Sequence, residues 1–126
     1  MLRGINSIDI QNELRRSVVI ADDDYAVRLL LRLVLQQAGY EVVAEAGNGD
    51  DAVSAVAKHR PDVVVLDEEM PRMSGSQAAR RIRSGNPTVK IIICSNSLRE
   101  RPSEADASVP KEDVSYLPLT LDRMVR

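Results

Sequence analysis

A chain of 126 residues, 44% hydrophobic and 29% charged, has the length and composition of one soluble globular domain with a single core. A net charge of −2 gives no general attraction to nucleic acid or anionic lipid, and with no Phe or Trp there is little to stack single-stranded bases on. One cysteine, Cys94, and one histidine, His59, exclude an internal disulfide and a thiolate zinc site and leave a Ser-His-Asp arrangement without support.

The first stretch, "MLRGINSIDIQNELRRS", lacks the continuous apolar segment of a secretory signal, and no run approaches the ~20 apolar residues that cross a bilayer. A cytoplasmic protein without membrane association or direct nucleic-acid binding is expected. Residues 1–16, with Ile5, Ile8, Ile10 and Leu14 beside Arg3, Arg15 and Arg16, read as an extension that is frayed or partly helical. Two periods then alternate. "SVVIA" (17–21), "EVVAEA" (41–46), "DVVVL" (62–66) and "VKIIIC" (89–94) are short and β-branched, as buried strands are.

Helical patterns lie between them. Val27, Leu30, Leu31, Val34, Leu35 and Ala38 follow the spacing of an apolar helix stripe, and Gly39 ends it. "GDDAVSAVAKH" places Ala52, Val53, Val56 and Ala57 on one side, with His59 a solvated end residue. "SGSQAARRIRSG" repeats the pattern with Ala78, Ala79 and Ile82. The tail offers Leu117, Leu121, Met124 and Val125 as a short amphipathic helix, started or broken by Pro118.

Strands with two apolar faces, alternating with helices, form a parallel sheet covered on both sides. Ligands of such sheets collect at the carboxyl ends of the strands. The polar residues fall there: Asp22-Asp23-Asp24 after the first strand, Asp67-Glu68-Glu69 after the third, Ser95-Asn96 after the fourth. Asp24, Asn48 and Asp50 are read as helix caps. Capping does not account for two runs of acids at one rim. Crowded like charges repel, so a cation is expected among them, and oxygen ligands without His or Cys favour a hard ion such as Mg2+ over zinc.

"VVIADDDYAVR", "EVVAEAGNGDDAV" and "PDVVVLDEEMPRMSG", followed by a hydroxyl after the fourth strand and a later lysine, closely resemble the receiver domain of two-component response regulators. The flavour is nearest to receivers attached to helix-turn-helix output domains. The matching stretch runs from about Ser17 to Lys111. The resemblance implies a flavodoxin-like (βα)5 fold, doubly wound around a five-stranded parallel sheet, with the receiver over 17–126. It implies Asp67 as phospho-acceptor, and Mg2+ held by Asp22, Asp23, Asp67 and the backbone carbonyl of Glu69, with Asp22 acting mainly through metal-bound water. Lys111 would contact a phosphoryl oxygen, and the Ser95 hydroxyl would move to meet the phosphate. The Glu68 and Glu69 side chains are expected to face solvent, Pro71 to fix a turn, and Gly75 to adopt a backbone conformation other residues resist.

The last third departs from the family pattern. Only 16 positions separate Ser95 from Lys111, short by more than a helical turn, so the fourth helix region is expected to be shortened or irregular. Pro110 sits where a short strand belongs, although it cannot donate a ladder hydrogen bond. Ser108 replaces the switch aromatic and Glu112 the proline that often follows the lysine. Asn96, bulkier than the residue common there, would hinder water from reaching an acyl phosphate.

The leading reading is a phosphoacceptor receiver, phosphorylated by a sensor histidine kinase or phosphotransfer protein and signalling to a downstream protein partner or a missing output domain. No room remains after Lys111 for a DNA-binding domain, and a homodimer stays open. The alternative keeps the fold as a phosphorylation-independent interaction module. A third, a metal-dependent phosphohydrolase with Asp67 as nucleophile, needs an acid-base partner, for which Glu69 is the only candidate by spacing. The first two readings make the chain no enzyme beyond its own phosphotransfer and dephosphorylation.

Overall fold

The structure, a computed structural model, describes residues 15–96 and 101–124. The strands are β1 (Ser17–Ala21), β2 (Glu41–Ala46), β3 (Val63–Asp67), β4 (Lys90–Ser95) and β5 (Ala107–Pro110). The helices are α1 (Tyr25–Gln37), α2 (Gly49–His59), α3 (Gly75–Gly85) and α4 (Leu117–Met124), with a 3-10 turn at Lys111–Tyr116. All five strands are parallel in the order β2-β1-β3-β4-β5. This is the expected flavodoxin-like arrangement, with β3 and β4 each starting one residue later than their apolar runs suggest.

Alternation along each strand divides the core in two. Val19, Val64, Leu66, Ile91 and Ile93 pack beneath α2 and α3, whereas Val18, Ile20, Val63, Val65 and Ile92 pack beneath α1 and α4. In the second layer Leu117 and Leu121 of α4 are fully buried, and Pro118 occupies the first turn, where a missing N–H costs nothing. The C-terminal segment is therefore the expected core-covering helix, although Val125 lies outside the described residues, as do the apolar positions of the 1–16 extension. Chain order reverses between β1 and β3, so the carboxyl ends of these strands flank the crevice where such sheets bind ligands.

Three local expectations need correction. Leu30 is 48% exposed: one helical step of ~100° from Leu31 carries it off the core stripe to the outer face with Leu29 and Leu33. Ala38 caps the end of α1 and is exposed rather than core. Asp24 and Asn48 do cap α1 and α2, accepting from Ala26 N and Asp51 N, but Asp50 lies inside the first turn of α2, where its charge meets the positive end of the helix dipole.

The connection from β4 to β5 contains no helix among its described residues, as the short spacing foretold. Ala105 is buried there against the α3 side of the sheet. Arg83 of α3 holds the segment in place. Its guanidinium donates to Val89 O at 2.7 Å, Glu104 O at 3.1 Å and Asp106 Oδ2 at 2.9 Å, while Asp106 also accepts from Ile91 N at 2.8 Å. One forked cation thereby stitches α3, β4 and the crossover together, a geometry lysine cannot match. Pro110 is tolerated because it is the last residue of an edge strand. Arg83→Lys and Arg83→Ala should both destabilise the fold in urea, the alanine by roughly 1–3 kcal/mol, because carbonyls and a carboxylate lose their donor; a lysine variant as stable as wild type would refute this role.

Candidate functional site

Leaving β1, the chain turns at Asp22, whose N–H donates to Ala46 O at 3.0 Å and whose Oδ1 accepts from Asp24 N at 2.9 Å. Arg28 of α1 donates to the Asp22 carbonyl at 2.6 Å. The backbone thus holds the Asp22 side chain at the rim, only 1% exposed, while Asp23 beside it is open to solvent. Asp67 ends β3, 2% exposed, and Glu69 N donates to its Oδ1 at 3.2 Å.

The loop after Asp67 is packed closely. A Cβ on Gly75 would come within 2.4 Å of the Asp67 carbonyl oxygen, so glycine is required here for close approach. That corrects the expectation of an unusual backbone conformation, since Gly75 does not have positive φ and the loop's left-handed residue is Arg72 (φ 69°). The Glu68 side chain is corrected too. Its carboxylate accepts from Ser76 N and Oγ at the start of α3, so only Glu69 points to solvent as expected. A side chain with amide and hydroxyl donors in reach at a helix N-terminus gains more there than in water. The sequence signal was available: an acid eight residues before a serine in the first turn of a helix, across a tight loop.

Oxygens of Asp22, Asp23 and Asp67 all lie within 4.8 Å of one another. Lys111, at the end of β5, places Nζ 3.1 Å from Asp67 Oδ1 and 3.3 Å from Asp22 Oδ2. Of the predicted residues the fold brings these four together. Ser95 is buried at the end of β4, one register step beyond the Cys94 that pairs with Asp67. Asn96 follows it, exposed. Burial raises the Asp67 pKa, opposed by the Glu69 N–H and Lys111 and reinforced by Asp22. Lys111 is raised despite its partial burial, because both carboxylates favour its charged form. Behind them, burial pushes the Cys94 thiol up to about 12, with Asp67 adding to it, so this cysteine is an inert core residue.

Asp67 Oδ2 is buried without a hydrogen bond, and Asp22 Oδ2 has only its ion pair with Lys111. Buried carboxylate oxygens left this way call for a further cation. The three carboxylates and one ammonium leave two negative charges over, which a divalent ion cancels. An all-oxygen donor set suits Mg2+. The residues present therefore fit such an ion.

Fold, strand order and acidic rim define a doubly wound α/β domain with a site suited to accepting an anionic group beside a cation. The chain belongs to the response regulator receiver domain family, which it matches over residues 18–109. It is 34% identical to the chemotaxis protein CheY of Bacillus subtilis over 109 residues, covering 86% of this chain and 90% of that one. It is 43% identical over 79 residues to a protein-glutamate methylesterase/protein-glutamine glutaminase of Haloarcula marismortui, covering 63% of this chain but spanning only 21% of that protein's length. A LuxR-family DNA-binding response regulator from Staphylococcus aureus superposes with a TM-score of 0.80 at 30% identity, over 88% of this chain and 99% of that one. The chain is thus a receiver domain of the two-component response-regulator kind.

A carboxyl whose folded pKa is raised loses stability on ionising: the cost is absent below its ordinary pKa and complete above the raised one. Without divalent cation at neutral pH, Asp67→Asn should therefore melt higher than wild type, by roughly 4 °C, and the gap should close as the pH falls into the carboxylate range. Equal melting temperatures at neutral pH would show that the Asp67 charge carries no such cost.

Proposed function

We propose that Asp67 accepts a phosphoryl group from the phosphohistidine of a sensor histidine kinase or phosphotransfer protein. The observation that carries this reading is the convergence of Asp22, Asp23 and Asp67 with Lys111 across the rim. A carboxylate oxygen of Asp67 attacks phosphorus, the P–N bond to imidazole breaks, and an acyl phosphate results. Lys111 already spans the two buried carboxylates and draws the incoming phosphoryl oxygens. Asp22, Asp23, Asp67 and the Glu69 carbonyl would hold Mg2+, which supplies the charge neutralisation that phosphoryl transfer chiefly demands. After transfer, the Ser95 hydroxyl at the end of β4 meets the phosphate.

On this reading the receiver spans 17–126, with residues 1–16 an extension, and the chain is no enzyme beyond its own phosphotransfer and dephosphorylation. A cytoplasmic location follows from the partner; no helix among the described residues is long and apolar enough to cross a membrane. The signal passes to a downstream protein or to an output domain, and homodimerisation remains compatible with it. Glu69, the acid-base candidate of the phosphohydrolase reading, is exposed to solvent, whereas Asp67 is buried.

A second reading, a phosphorylation-independent interaction module, has its own support. Ser108 stands exposed where family members carry the switch aromatic, on the sheet side where the crossover lacks a described helix. Incubation with Mg2+ and acetyl phosphate separates the two. Wild type should gain one phosphoryl group by mass spectrometry, Asp67→Asn none, and Lys111→Ala should react about 10²-fold more slowly. No gain by wild type at any Mg2+ concentration leaves the interaction module. Asn96→Ala should lose its phosphate several-fold faster than wild type; an unchanged decay rate would show that Asn96 does not shield the acyl phosphate.

A further inference from the structure

The outer face of α2 and α3 carries two adjoining hollows. One, a groove of about 600 Å3, opens between the C-terminal ends of the helices. The buried Val56, Pro61, Ile82 and Val89 are in its lining, and the exposed Arg60 and Arg81 stand beside them. The other, of about 350 Å3, is lined by Arg72, Met73, Gln77, Arg80 and Arg81, so Arg81 belongs to both. Four arginines and a single acid, Asp62, thus line this face of a chain whose net charge is −2. Asp62 Oδ2 already accepts from Ser17 N at 2.8 Å and Ser17 Oγ at 3.2 Å, and Arg80 pairs with Glu104 at 3.1 Å. Arg60, Arg72 and Arg81 form no ion pair among the described residues.

Two of these three arginines also hold a strained backbone. Arg60 (φ 44°) and Arg72 (φ 69°) are the non-glycine residues with positive φ among the described residues. Arg60 caps the end of α2, where glycine takes up the left-handed conformation freely and a longer side chain resists it. Strain kept at two places on one face, each time by a cation without a partner, marks a binding surface rather than a structural need. Cations around an apolar groove suit a helix that presents apolar and acidic side chains together. We propose that this face docks an acidic amphipathic helix of a partner protein, with its apolar side chains in the groove and its carboxylates on Arg60 and Arg81 and, along α3, on Arg72. A nucleic-acid strand would meet the same charges but no ring to stack on, since Tyr25, Tyr40 and Tyr116 lie in neither lining. The exposed leucines of α1 offer a rival apolar surface, but Arg28 and Arg32 there already pair with Glu45 and leave no cation for the carboxylates.

Fluorescence anisotropy tests this on the full chain, with a labelled synthetic helix of leucine, glutamate and alanine whose leucines fall at three- and four-residue spacings. Wild type should bind it, and Arg60→Glu with Arg81→Glu should weaken binding at least tenfold. The same double variant should bind a helix with lysine in place of glutamate at least tenfold more tightly than wild type does. Arg60→Gly should bind the acidic helix several-fold more weakly yet melt no lower than wild type, and Leu33→Glu on α1 should change nothing. Absence of binding by wild type, equal binding of the lysine helix, full binding by Arg60→Gly or loss of binding through Leu33→Glu would each overturn the proposal. So would tighter binding of a uridine oligonucleotide, or self-association of wild type that the double reversal abolishes, which would give the face to nucleic acid or to a second copy.

Discussion

Two carboxylates buried at the same rim of the sheet, Asp22 and Asp67, with one ammonium between them, are the constraint around which this domain is arranged. At these distances each charge pair interacts on the order of 4 kcal/mol in a partly buried setting. Lys111 meets the repulsion of the two carboxylates only in part. Burial raises the pKa of Asp67 and Asp22 adds to it, against the Glu69 N–H and Lys111, so the fold alone leaves this charge incompletely stabilised. A site built this way is poised for cation, and with the cation for phosphate.

The surrounding structure serves to hold that arrangement. Strand order sets β1 and β3 side by side, so acids forty-five residues apart in sequence end level with each other. Gly75 lets α3 begin directly against Asp67, and Glu68 anchors the start of that helix through Ser76. Lys111 arrives from the far edge strand, which Pro110 ends without disturbing an interior ladder. At the altered crossover Arg83 does through hydrogen bonds what a helix would do through packing, and Ile91 and Ile93 stay buried. On the proposed reading, acceptance of phosphate and transmission of its arrival rest on different parts of the chain, and the second is the part that departs from the family pattern.

Much of this was legible in the sequence, because strands buried on both faces leave unbroken apolar runs and the acids interrupt them at the ends. Asp22, Asp23, Asp67 and Lys111 could be expected at one rim, where the fold brings them together, since their order along the chain resembles a known pattern. Other features depend on distance across the fold and leave little trace. Whether Leu30 falls in or out of the core turns on one helical step, and Gly75 answers to a carbonyl that no local pattern reveals. Arg83 looks like one more surface arginine in "AARRIRSG" until its fork meets Glu104 and Asp106 more than twenty positions later. Remodelled loops bring new tertiary partners, and periodicity does not report them.

The central claim is that the acidic rim holds a divalent ion, and a titration with Mn2+ observed by amide NMR tests it most directly. Paramagnetic broadening should begin at Asp22, Asp23 and the Asp67–Glu69 backbone, reach Lys111, spare the C-terminal ends of α2 and α3 at the opposite rim, and be displaced by Mg2+. Broadening that is absent, or that centres away from Asp67, would contradict the account.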